Sequence, residues 1–461
     1  MGKQILEGFQ YVLGFGPTVM LPIVVFILAL CFRVKPGKAL RSAVVIGMGF
    51  VGIFLIFNLL IESVGPAAKA MVARTGIDLP VVDTGWPPLA AIAFASPVAP
   101  FVIPMVVLLN IVMIVLRWTK TVDIDLWNYW HFCFAGALVY SATGNFFFGL
   151  LGSAVATVIV LKLADWSSPY IQKRFNLPGI SLPTLSAVVF FPIGVLGNKV
   201  LDSIPGIRNL KADPESIQKR FGVFGEPMMI GLVLGIIIGI LAGFHTDEVL
   251  KLGMNLGAVM LIMPRMVRIL MEGLIPLSDA VRALLKKKFP DRADITIGLD
   301  IAVAIGNPAV ISTALLMTPI TILLAVILPG NKIMPLGDLP TLTVPLSLIV
   351  LACRGNIIRS VILGIPVIIA NLYIASYLSP LVTQVAKSIK FKFPEGASAL
   401  VNSFLDGGNP FRFWLVMLSK GNIVALGVIP VIGLVVWWAY KITRKDFDEN
   451  GELKVSDTKV S

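Results

Sequence analysis

The sequence predicts an all-α polytopic membrane protein of about eleven transmembrane helices, arranged as two inverted five-helix repeats with two re-entrant hairpins. Three observations predict it. The 461-residue chain is 57% hydrophobic and only 14% charged, whereas charged residues make up about a quarter of an ordinary globular chain. Apolar runs long enough to cross a bilayer, about 20 residues, recur from one end to the other. Two of those stretches are interrupted in the same way, by Gly144-Asn145 and Gly355-Asn356, at a spacing near half the chain.

In order, the long apolar runs fall at 9–32, 42–61, 89–116, 127–141, 144–164, 226–244, 253–271, 295–328, 339–353, 356–378 and 421–440. Lys3 alone precedes the first run, without the basic region and small-residue cleavage site of a removable signal, so that run reads as a retained span. The segments near 183–198 and 398–416 are short and rich in Gly, Pro and Ser, which suits re-entry rather than crossing. The net charge of +12 is spread between the apolar runs, as in 33–41, 282–292 and 440–445. That distribution fits cytoplasmic loops and argues against a nucleic-acid partner. Cys31, Cys133 and Cys353 show neither metal-ligand nor disulfide spacing and read as small core residues.

Sliding the chain on itself by about 210 residues aligns Gly, Pro and charge in order. Glu62 falls on Glu272, Pro66 on Pro276, Pro97 on Pro308 and Ser168-Pro169 on Ser379-Pro380. The expected units are 1–200 with the first hairpin, 221–416 with the second, a final span over 417–441 and a cytoplasmic tail over 442–461. Five spans per repeat is an odd number, so the second copy inverts. The basic loop 33–41 has a near-neutral counterpart at 245–251, and the acidic 62–88 a basic one at 265–294, as inversion requires. The lysines at 387–392 do not fit this pattern. The N-terminus is then outside and the C-terminus cytoplasmic.

Inverted repeats with interrupted helices place a binding site near the midplane, and polar residues inside the spans become candidates for it. Asn145 and Asn356 follow a permissive Gly and are either ligands or helix caps. Asp300 and Asn307 lie in "GLDIAVAIGNPAVI" (298–311), and Asp406 and Asn409 in "FLDGGNPFRFW" (404–414). His131 sits among aromatic residues that form either an interfacial belt or a stacking surface. Glu62 and Glu272 occupy equivalent span ends, as gating or scaffold residues. No Walker loop, metal cluster or nucleophile elbow is present in the sequence, so the chain is expected to bind and move a solute without a cofactor or catalytic residue of its own.

The stretches "GPTVMLPI" (16–23), "GFVGI" (49–53), "GPAAKAM" (65–71), "VVDTGWP" (81–87), "FGEPMMIGLVLGIIIGILAG" (224–243), "AVMLIMPR" (258–265), "GLD" (298–300) and "RGN" (354–356) together resemble the galactitol-type membrane subunit, component IIC, of the bacterial phosphotransferase system. The resemblance extends to about residue 440. It implies a homodimer in the bacterial inner membrane in which a core moves against a scaffold. It implies uptake of a sugar alcohol, which a phosphocysteine on a separate IIB protein phosphorylates, with IIA, HPr and enzyme I upstream. Where relatives carry a Pro-His-Gly-Thr turn, this chain has Leu182-Pro183-Thr184-Leu185, and Asn307 stands where some have His. The polyol is therefore left open between galactitol and another hexitol, pentitol or sugar. The rival reading is an ion-coupled secondary carrier with Asp300 or Glu272 as the proton site.

Overall fold

The computed structural model describes residues 17–31, 34–77, 79–210, 212–288, 295–389, 391 and 400–446. The start of the first expected span, the end of the basic segment 282–292, Lys390, Lys392 and most of the expected tail lie outside the described residues.

The described residues open with α1 (Pro17–Cys31) and α2 (Pro36–Ala73), followed by β1 (Val81–Asp83), α3 (Trp86–Ala95), α4 (Ala99–Val115) and β2 (Thr121–Asp123). Next come α5 (Trp130–Thr143), α6 (Phe146–Arg174), β3 (Ile180–Ser181), α7 (Leu185–Val188), α8 (Phe191–Leu201) and α9 (Pro214–Phe221). The hairpin α10 (Pro227–Ala242) and α11 (Thr246–Lys288) leads to β4 (Thr296–Gly298), α12 (Pro308–Ile327), β5 (Ile333–Met334) and α13 (Thr343–Ala352). The last elements are α14 (Ile357–Ser388), β6 (Leu400–Asn402), α15 (Pro410–Ser419) and α16 (Ile423–Thr443).

Among the described residues, six helices are long and apolar enough to cross a membrane, or up to eight if each bent pair is one span. The apolar run 89–116 is one such pair, α3 and α4, bent by 93°. Pro97 lies in the break and Ser96 ends α3 in extended backbone, where no helical bond can carry through. The run 295–328 also divides, into β4, a 3-10 turn at Ile301–Val303 and α12. In the opposite sense, the expected loops 62–88 and 265–294 are helical as far as residues 73 and 288. Ala67, Ala68, Ala70 and Met71 favour helix, and α2 runs through Pro66 to Ala73.

Helices α1, α2, α10 and α11 pack mainly on one another. Their contacts are close because glycine lets backbones meet. A Cβ on Gly49 of α2 would stand 2.7 Å from the Leu270 Cα of α11, and one on Gly235 of α10 would stand 2.7 Å from the Gly253 Cα. The other described elements form a second unit, which shares one apolar centre with α2, α10 and α11 through Ile297, Leu346 and Ile368 and has another around Phe132, Leu138, Val160 and Val382.

Six very short strands organise that second unit into two all-parallel sheets, ordered β5-β1-β6 and β2-β4-β3. In the first, Val81 pairs with Ile333 and Val82 with Val401. In the second, Thr296 pairs with Thr121 and Ile297 with Ile180. Each central strand therefore comes from the opposite half of the chain to its two neighbours. Exchanging β1 with β4, β2 with β5 and β3 with β6 turns the strand order of one sheet into that of the other.

Candidate functional site

Buried loops at the ends of such strands leave backbone groups that must be paired, and carboxylates do much of this work. After the first sheet, Asp83 accepts hydrogen bonds from the backbone N–H groups of Gly337 and Asp338 at 2.9 Å, Phe404 at 3.0 Å and Gly85 at 3.2 Å. Asp338 accepts from Trp86 N at 2.8 Å, Leu405 N at 3.2 Å and the Ser403 hydroxyl at 2.5 Å. Two acids thus tie together the loops that follow β1, β5 and β6. After the second sheet, Asp125 accepts from Asp300 N at 3.1 Å. The Thr184 hydroxyl accepts from Ile301 N at 2.9 Å and donates to the Asp300 carboxylate at 3.3 Å.

These loops converge on one cavity, to which each of the six strands sends a side chain from its following segment. They are Trp86 after β1, Asp125 after β2, Thr184 and Ser186 after β3, Asp300 after β4, Thr341 after β5 and Asp406 after β6. The opposite wall is α2, which contributes only Phe50, Ile53, Phe54 and Phe57. The cavity is small, with a volume of about 70 Å³.

His131, Trp130 and Asp406 line the same cavity and are held by Arg412, which is wholly buried. Arg412 donates through Nη1 to the Asp406 carboxylate and main-chain carbonyl, both at 2.9 Å, and through Nη2 to His131 Nδ1 at 2.8 Å. Its guanidinium lies 5.2 Å from the Phe134 ring centre and 5.8 Å from that of Trp130. The Ser186 hydroxyl donates to the same Asp406 oxygen. A guanidinium has no acceptor, so His131 Nδ1 must accept. The imidazole is then the neutral tautomer with its proton on Nε2, leaving an N–H that a ligand oxygen can receive. Carboxylates and hydroxyls that accept, an imidazole that donates, and indole faces for C–H groups together suit a polyhydroxy ligand.

The sequence candidates divide by place. The structure brings together His131, Asp300 and Asp406 on this cavity. Asn409 is one turn away, where it caps α15 through Phe411 N at 3.0 Å and Arg412 N at 3.3 Å and so fixes the helix that carries Arg412. Asn307 caps α12 and lines, with the exposed Glu272 and with Arg268, a second cavity of about 450 Å³. Residues 301–307 are the partition: Ile301, Ala302 and Ile305 face the first cavity, and Val303, Ala304, Gly306 and Asn307 the second. Asn145 and Asn356 line neither. Asn145 is exposed and caps α6 through Phe147 N, while Asn356 caps α14 through Arg359 N and donates to Leu210 O at 2.6 Å. Gly144 and Gly355 precede them with φ of 67° and 74°, the left-handed backbone that lets one helix end as the next begins. Glu62 is exposed on α2.

Sequence reasoning passed over Asp125, Ser186 and Arg412 on or behind the cavity wall, and Asp83 and Asp338 behind it; Thr184 lies in the 182–185 turn that it did single out. A signal was available: of the six strands among the described residues, β1 ends in an Asp and four more are followed within four residues by an Asp set in apolar chain, as in "VVD", "TVDID", "TIGLD", "IMPLGD" and "LVNSFLD".

A family model described as "PTS system sugar-specific permease component" (EIIC-GAT) matches residues 11–396. The chain is 39% identical over 436 residues to the galactitol-specific EIIC component of the PTS of Escherichia coli strain K12, covering 94% of this chain and 96% of that one. It is 36% identical over 441 residues to a putative permease IIC component of the same strain, covering 96% of this chain and 100% of that one.

Proposed function

The chain belongs to the family of sugar-specific permease components of the phosphotransferase system, and from that premise we propose that it carries a sugar alcohol, galactitol or a close relative, to a cytoplasmic IIB protein for phosphorylation. The single observation that carries the choice of ligand is the convergence of Asp125, His131, Thr184, Ser186, Asp300 and Asp406 on one cavity with an aromatic wall. Hydroxyls of the ligand donate to the carboxylates and accept from His131 Nε2–H. Buried polar groups left without such partners reject ligands that lack a matching hydroxyl strongly.

The movement we propose is of elevator type, with α1, α2, α10 and α11 as the scaffold and the two-sheet unit as the moving core. Three features support it. The polar wall of the cavity belongs entirely to the core, while the scaffold presents only apolar side chains, across which a core can slide without breaking hydrogen bonds. The scaffold helices are matched in pairs across the two halves, as are the sheets, which fits inverted repeats. Loop knots such as Asp83–Asp338 let the core move as one body. A cytoplasmic C-terminus is supported by the patch where the ends of α6, α8, α13 and α16 meet, which holds Arg174, Lys199, Arg354 and Lys445 against Asp202 and Asp446. The second cavity, behind residues 301–307, then provides the cytoplasmic approach to the ligand. Phosphorylation adds close to two negative charges, which a site presenting three carboxylates expels inward.

The experiment is uptake into vesicles holding the purified chain, with and without IIB and its upstream phosphoryl donors, across a panel of hexitols and pentitols. Accumulation as the phosphate, only with IIB, is the expected result. Accumulation of unmodified polyol down an ion gradient without IIB overturns the proposal in favour of a secondary carrier.

A further inference from the structure

A third, larger cavity lies away from the ligand site, in the groove between α16 and the body of the protein, with a volume of about 880 Å³. Its lining combines the apolar Leu163, Gly433 and Val436 with the basic Arg117, Lys120, Lys162 and Arg444, the last standing eleven residues past Gly433 at the end of α16. The one carboxylate there, Asp165, is engaged by the Thr119 hydroxyl at 2.9 Å, Lys120 N and the Thr121 hydroxyl at 3.0 Å, and Lys162 Nζ at 3.7 Å. Arg117 and Arg444 form no ion pair among the described residues, and Arg444 lies over the Tyr440 ring at 5.5 Å. Arg117 holds a left-handed φ of 61°, in the turn that brings the end of α4 to the groove.

Two further facts say what the groove receives. Trp118 and Trp437 in its lining are more than half exposed, the placement of indoles at the headgroup level of a membrane. Gly433 also lines the groove, with nothing within 4 Å of an added Cβ, so the hollow is open beside this part of α16. A soluble anion satisfies the basic residues only. A neutral lipid satisfies the apolar ones only. We propose that the groove is a binding site for an anionic diacyl phospholipid, its phosphate among Arg117, Lys162 and Arg444 and an acyl chain along Gly433, joining the sparsely packed α16 to α4 and α6.

The test measures lipid retention on the full-length protein by native mass spectrometry, after reconstitution in phosphatidylcholine with or without phosphatidylglycerol. Wild type should retain phosphatidylglycerol in preference to phosphatidylcholine. Each groove charge contributes about fivefold, so Arg117→Gln/Arg444→Gln should weaken retention about 25-fold. Gly433→Leu, which adds bulk where there is space for it, should displace the lipid with all charges intact, and inorganic phosphate should not compete. Equal retention of the two lipids, displacement by inorganic phosphate, or full retention by either variant overturns the assignment. Ligand-site function does not enter the readout, so the result stands apart from the transport reading.

Discussion

Arg412 offers the sharpest perturbation. It is wholly buried, donates two hydrogen bonds to Asp406 and one to His131, and has its Nε without a partner among the described residues. Arg412→Met keeps the bulk against Trp130 and Phe134 but leaves the Asp406 carboxylate with only the Ser186 hydroxyl. Breaking a buried pair from one side costs about 3–5 kcal/mol, whereas replacing both partners by apolar groups is often neutral or better. Arg412→Met should therefore lower unfolding free energy by about that amount in a sodium dodecyl sulfate titration, and Arg412→Met/Asp406→Leu should recover most of it. Ligand binding should not recover, because the double variant lacks a carboxylate acceptor worth about 1.5–3 kcal/mol. Calorimetric affinity for galactitol, or for whichever polyol the wild type binds, should drop about 10- to 150-fold. A single variant within about 1 kcal/mol of wild type, or a double variant with wild-type affinity, would refute the view of Arg412 as the group that charges and positions the site.

Other substitutions separate capping from binding. Asn356→Ala and Asn145→Ala should each cost about 0.5–2 kcal/mol as lost caps, the former somewhat more through its bond to Leu210, with polyol affinity by calorimetry unchanged; a lost affinity would return these residues to the site. Asp83→Asn turns an amide N–H₂ towards backbone donors that Asp83 now pairs, so it should destabilise by about 2–4 kcal/mol in the same detergent titration. Gly235→Val should separate α10 from α11 and cost about 1–3 kcal/mol or more, which a wild-type unfolding profile would contradict. His131→Phe keeps the ring but removes the Nε2–H; it should reduce affinity about tenfold or more, with unchanged affinity showing that the imidazole does not meet the ligand.

Much of the site was legible residue by residue, and little of it as an assembly. Asp300, Asp406 and His131 stood out because ionisable groups are rare in apolar chain, and all three line the cavity. Asn145 and Asn356 stood out as polar residues that follow Gly and interrupt apolar runs, and they are caps: a Gly-Asn break signals a helix restart whether or not a ligand is near. Asp125 and Arg412 were missed because each sits beside residues that look interfacial. The strands were missed because two or three residues are too few to show a period.

What the sequence by itself determined is the solvent and the class. An apolar excess of this size has to be in lipid, and in lipid the backbone must satisfy itself within helices or beside a buried cavity. What the tertiary structure decided is which interruptions meet. Thr84 and Asn402 bond across 318 positions, and Asp125 and Asp300 across 175. Parallel strand pairing between distant segments sets those neighbours. Hydropathy is a local sum and carries no record of it, so the same polar residues can cap a helix at the surface or face a ligand in the core, and only the pairing tells them apart.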